Sequence, residues 1–171
     1  MAINPKVFIS YAWEDGITEW VKNLAQELRS DGVDAIIDQW SLVPGDRLPQ
    51  FMEKSISSSD NVLIICTPKY KRKVDCRVGG AGYEGDIISS EQFYKDTPRK
   101  FIPLLKKGNW QDAAPTFLLS RNYLDFRLDG SSKESYQHLL RTIYKSFPTP
   151  PPLGHAPKFI SDNLENKIKK N

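Results

Sequence analysis

A carboxylate placed directly behind a run of glycines is where this 171-residue sequence first suggests chemistry: Gly79-Gly-Ala-Gly-Tyr-Glu84. Glycines let the backbone approach a ligand closely. Glu84 falls in the first turn of a helix predicted over 83–94, where the helix dipole favours an ionised carboxylate. A carboxylate that only stabilises the helix start suits the same position, and position alone favours that simpler role. Glu91 shares a helical face with Glu84, Ile87 and Ile88, so both carboxylates can border one cleft. Its deeper place in the helix also suits a salt-bridge partner. A second group of residues closes the run Val7-Phe-Ile-Ser-Tyr-Ala-Trp13, which begins as a buried strand and ends in polar and aromatic types. In an α/β protein that strand end is where ligands sit. Ser10, Tyr11, Ala12 and Trp13 are therefore candidate pocket residues, although Tyr11 also suits the core and Trp13 the start of the next helix. A third group, Asp38, Trp40 and Arg47, occupies the stretch 38–47. Asp38 either starts a turn or accepts a hydrogen bond from a ligand hydroxyl. Trp40 is a loop tryptophan with no core pattern around it, and Arg47 pairs with Asp46 or with an anion.

The elements that must position these residues are legible from periodicity. Residues 6–11, 33–37, 61–66, 101–105 and 122–126 read as strands, and 61–66 is apolar throughout, as expected of a strand covered on both faces. Residues 17–30 read as an amphipathic helix with Ile17, Trp20, Val21, Leu24, Ala25 and Leu28 inward, Asp15 as N-cap and Gly32 as the stop. A second helix starts near Leu48, with Asp46 as cap and Pro49 in the first turn. Residues 67–82, basic and then glycine-rich, read as an exposed loop. The last helix, 132–147, carries a capping box from Ser131 and Glu134 and an inward stripe of Tyr136, Leu139, Leu140, Ile143 and Phe147. Alternating strands and helices imply an α/β fold: a small doubly wound, flavodoxin-like parallel sheet of about five strands flanked by helices. One domain, 1–147, is expected, followed by a proline-rich linker or tail, 148–171.

Composition narrows the function. The net charge of +3 is too small to argue for nucleic acid, and no apolar run approaches the length of a membrane span. With no signal peptide visible and only two cysteines, Cys66 within an apolar strand, a cytoplasmic protein with reduced thiols is expected. His138 and His155 show no metal-ligand spacing, and no metal site is expected. Asp75-Cys76-Arg77 has no histidine near it in sequence to activate a cysteine nucleophile. The glycines at 79–82 lack the Gly-Lys-Ser/Thr ending of a phosphate-binding loop and do not follow a strand directly.

The order of motifs resembles the Toll/interleukin-1 receptor (TIR) superfamily, in its bacterial and SEFIR-like branch. The matching residues are Phe8-Ile-Ser-Tyr, Asp38-Gln-Trp40 with Pro44-Gly45-Asp46, Cys66-Thr-Pro-Lys-Tyr70, and the glycine stretch that leads into Glu84. The chain departs from animal and plant members, whose helical glutamate follows a Trp-Cys pair. The resemblance implies one of two functions, a non-catalytic homotypic interaction module or an NAD+ hydrolase that cleaves the nicotinamide–ribose bond. In the second, NAD+ is the substrate and no cofactor is needed. Nicotinamide is already a cationic leaving group, so the site needs a carboxylate near the ribose and aromatic faces for the ring. By resemblance Glu84 supplies the carboxylate, with Glu91 as the alternative acid or a supporting residue. Ser10, Tyr11, Ala12, Trp13, Asp38, Trp40 and Arg47 then bind substrate, Asp38 toward a ribose hydroxyl and Arg47 toward the pyrophosphate. The resemblance further implies self-association through TIR–TIR contacts. It also implies an arrangement found in bacterial antiphage proteins, where a STING-like cyclic-dinucleotide sensor follows the TIR domain. No nucleic-acid or membrane partner is implied.

Overall fold

The computed structural model describes residues 4–77, 98–128 and 132–160. Glu84, Glu91, the glycine stretch, the helix expected over 83–94 and the cap at Ser131 lie outside the described residues.

Five strands form one parallel sheet in the order β2-β1-β3-β4-β5. They are β1 (Lys6–Ser10), β2 (Asp34–Ile36), β3 (Asn61–Cys66), β4 (Phe101–Leu105) and β5 (Leu124–Asp125). The register runs Phe8 beside Ile36, Ile9 beside Leu63 and Ile64 beside Pro103. This confirms the doubly wound α/β fold. Alternation along each strand divides the core in two. Val7, Ile9, Leu63 and Leu104 pack with Val21, Leu24 and Leu28 of α1 (Ile17–Ser30) on one face. Phe8, Val62, Ile64 and Cys66 pack with Met52 and Ile56 of α3 (Leu48–Ser58) on the other. β3 is buried along its whole length. Each of its aliphatic side chains contributes about 1.5–3 kcal/mol relative to exposure.

Two glycines set how α1 is entered and left. Gly16, at φ +78°, occupies the N-cap, so the helix starts without a side-chain cap and Asp15 does not serve. Gly32, at φ +83°, follows its C-terminal end, as expected. The final helix, α6 (Ser132–Ile143), is strapped to this corner: the Tyr136 hydroxyl donates to Asp31 Oδ2 at 2.7 Å and the Tyr144 hydroxyl to the Asp31 carbonyl at 2.8 Å. Between them lie α2 (Asp38–Ser41), α4 (Pro68–Arg77) and α5 (Trp110–Ala113).

Several expectations are corrected. The basic stretch after β3 is a helix, not a loop. Thr67 Oγ1 accepts from the Tyr70 N–H at 3.1 Å, Pro68 stands in the first turn, and Tyr70 and Val74 are buried beneath the lysines. Asp46 does not cap α3, because its Oδ2 accepts from the Val43 N–H at 3.1 Å. The last helix ends at Ile143, which leaves Phe147 57% exposed instead of in the stripe. The fifth strand shortens to Leu124–Asp125. Residues 148–157 are exposed and carry neither helix nor strand. No helix among the described residues is long and apolar enough to cross a membrane.

The thiols differ sharply. Cys66 is fully buried, and burial pushes its thiol up to about 12, whereas Cys76 is exposed. A thiol reagent at pH near 8 is expected to modify one cysteine in the native protein and the second only in denaturant. Two fast-reacting thiols in the native protein would contradict the buried β3.

Candidate active site at the switch point of the sheet

In the order β2-β1-β3-β4-β5, the chain leaves β1 toward one edge and returns to build the other. The crevice at the carboxyl ends of β1 and β3 is the switch point, the place such sheets offer to a ligand. Trp13 emerges there, whereas Tyr11 is buried in the core with only its hydroxyl reaching toward the site. The pairing of β1 with β2 brings the start of α2 beside them, and Asp38 joins the two aromatics. Its Oδ1 accepts from the Tyr11 hydroxyl at 2.6 Å and from the Gln39 N–H at 2.8 Å, while Oδ2 accepts from Trp13 Nε1 at 2.6 Å. Gln39 closes the network: its Nε2 donates to the Tyr11 hydroxyl at 2.8 Å and to the Thr18 carbonyl at 3.0 Å. Burial first, and the Asp38 carboxylate second, hold the Tyr11 phenol well above its ordinary range, so it is neutral and acts as a donor.

Trp13 is fixed at its backbone as well. Lys69 Nζ, from the first turn of α4, donates to its carbonyl at 2.5 Å and so bridges the ends of β1 and β3. Trp13 nevertheless leaves 57% of its surface exposed. A large ring held at both ends while its surface stays open is pre-organised for stacking or for cation–π contact. Next to it, Glu14 forms an ion pair with Lys107 at 2.5 Å, and its other oxygen, Oε2, is buried without a hydrogen-bond partner.

The remaining expected residues are placed differently. Ser10 is buried and shares a 2.9 Å hydrogen bond with the Tyr70 hydroxyl, and Ala12 is buried in the core under α3. Trp40 lies within the short helix α2 and not in a loop, 40% exposed, and Arg47 is exposed. Among the described residues no hydrogen bond or ring contact joins either of them to the Tyr11–Trp13–Asp38 group, and no ion pair joins Arg47 to Asp46. Gln39, Lys69, Glu14 and Lys107 also belong to this end of the sheet. Lys69 was legible only as part of a basic run, and Gln39 only as the middle of Asp-Gln-Trp. Nothing in the sequence links Lys107 to Glu14, 93 positions away.

The sheet order is that of a TIR domain. The family's sequence model, described as TIR domain, matches residues 7–140, and the chain belongs to that family. A curated relative, NAD(+) hydrolase PdTIR of Paracoccus denitrificans (strain Pd 1222), is 36% identical over 67 residues. That match covers 39% of this chain and 22% of the relative, so the chain spans only about a fifth of that protein's length. The crystal structure of a prokaryotic SEFIR domain is 35% identical, with a TM-score of 0.74 over 89% of this chain and 100% of that one. A metazoan TIR-STING receptor from C. gigas, in complex with 2',3'-cGAMP, is similar in fold alone. Its identity is 19% and its TM-score 0.55, over 85% of this chain and 40% of that one.

Proposed function

We propose that this TIR domain is an NAD+ hydrolase that releases nicotinamide and ADP-ribose. The observation that carries the reading is the Trp13 ring at the switch point, open to solvent and held by Asp38, which is itself anchored on the buried Tyr11 hydroxyl. The match to a protein named as an NAD(+) hydrolase supports it. The Trp13 face takes the cationic nicotinamide ring. Glu84 supplies the carboxylate that stabilises the oxocarbenium charge developing as the bond from C1′ to the nicotinamide nitrogen breaks. Water then adds to C1′ and gives up a proton, which leaves ADP-ribose. Arg47 and Trp40, exposed in the α2–α3 segment, meet the pyrophosphate or a neighbouring subunit. Self-association completes the site. Residues 148–171 lead to a cyclic-dinucleotide sensor in the full-length chain, and the protein acts in antiviral defence.

The likeness to the prokaryotic SEFIR domain across most of the chain favours a second reading, a homotypic interaction module without catalysis. Nicotinamide release measured across a range of protein concentrations separates the two. Catalysis by assemblies rises more steeply than linearly with protein. An interaction module gives no nicotinamide at any concentration while still sedimenting as an oligomer.

A further inference from the structure

At the opposite end of the sheet from Trp13 lies a cleft of about 1100 Å³, floored by the first residues of β3 and β4 and walled by the C-terminal half of α6. The volume is that of a small-molecule site. β5 pairs only with Leu104 and Leu105, so the first half of β4 borders the cleft instead of another strand. Arg99, Lys100, Arg121 and Lys145 line it against one carboxylate, Asp60, whose Oδ2 already accepts from the Lys6 N–H at 2.8 Å. Among the described residues the side chains of Arg99 and Lys145 have no hydrogen-bond or ion-pair partner. On the floor Asn61, only 7% exposed, keeps a buried Oδ1 without a partner.

Lys145 is the second, independent sign. It occupies the position after α6 where the chain turns left-handed, at φ 54°, with the Ser146 N–H returning to the Arg141 carbonyl at 2.8 Å. Glycine is the residue that adopts this cap without strain. Among the described residues Lys145 is the one non-glycine with a positive φ. A cationic side chain is thus kept at the lip of the cleft against the backbone preference, which points from strain toward function. Phe147, exposed beside it, offers a ring face.

We propose that this cleft is a second binding site, for a nucleoside phosphate, with the phosphate between Arg99 and Lys145 and the base against Phe147 and the β4 edge. The site is separate from the crevice at Trp13 and stands whether or not the domain cleaves NAD+.

The test is an amide NMR titration of the full chain with ADP, and separately with inorganic phosphate, at physiological salt. The resonances report where each ligand binds. Saturating shifts are expected at Asn61, Phe101 and Ile102, with inorganic phosphate at least about tenfold weaker than ADP. In Arg99→Ala/Lys145→Gly the affinity read at those amides falls at least about tenfold, the effect of losing a charge-assisted contact. Lys145→Gly also relieves the left-handed strain, so the melting temperature holds or rises by about 2–4 °C. Trp13→Ala leaves these shifts in place. The proposal is overturned if ADP shifts only resonances around Tyr11–Gln39, if the cleft shifts do not saturate, if the double variant binds unchanged, or if phosphate alone binds as tightly as ADP.

Discussion

Asp38→Ala is expected to slow nicotinamide release from NAD+ by about ten- to a hundredfold with the fold retained. The carboxylate accepts from two aromatic side chains at once, at 2.6 Å each. Hydrogen bonds to a charged group are worth roughly 1.5–3 kcal/mol, and each 1.4 kcal/mol is a factor of about ten. Removing it frees the Trp13 indole and leaves the Tyr11 hydroxyl proton without its acceptor, so the ring no longer meets substrate in one orientation. Asp38 acts through Trp13, as a positioning residue, and two readouts separate this from a general loss of structure. The Trp13 Nε1–H resonance moves toward that of a solvated indole. The Tyr11 phenol titrates lower than in the native protein, but still above its ordinary range, because burial, the larger cause of its elevation, remains. Asp38→Asn keeps one acceptor oxygen and is expected to fall between the two. If Asp38→Ala changes neither the rate nor the indole resonance, the placing of the Trp13 ring does not depend on this contact.

Glu84→Ala is expected to lower release further, by about 10²–10³-fold, the usual cost of deleting one group aimed at developing charge. The substrate needs no protonated leaving group, so the loss should be the same across neutral pH and should fall on kcat more than on KM. Glu91→Ala is expected to cost less than about tenfold. The reverse ranking would move the essential carboxylate to Glu91 and leave the rest of the site unchanged.

The parts of the fold legible in the sequence are those whose burial follows a simple period. Val7–Ser10 and Asn61–Cys66 read as strands because their neighbours are other strands and two covering layers, and α1 read correctly because one of its faces is uniformly apolar. The helix α4 is hidden because Lys69, Lys71, Arg72 and Lys73 surround its buried anchors Tyr70 and Val74. Its one local signal was the Thr67-Pro68 pair at the start. Phe147 was misplaced because the helical period continues past Ile143, whereas the chain turns at Lys145. The site divides in the same way. Tyr11, Trp13 and Asp38 were each visible as residue types at element ends. Their convergence was not, because it depends on the β1–β2 register and on the short helix that begins at Asp38. Lys69 entered the site through tertiary structure alone, from a helix that the charge run concealed.

NAD+ hydrolysis by this domain is tested by the release of nicotinamide from NAD+ by the wild-type chain, concentrated enough to self-associate and followed chromatographically beside Glu84→Ala. Nicotinamide and ADP-ribose appearing in equal amounts with the wild type and at background with the variant is the predicted result. No release above background by a wild-type sample shown to be folded and assembled would contradict it, and the domain would stand as an interaction module.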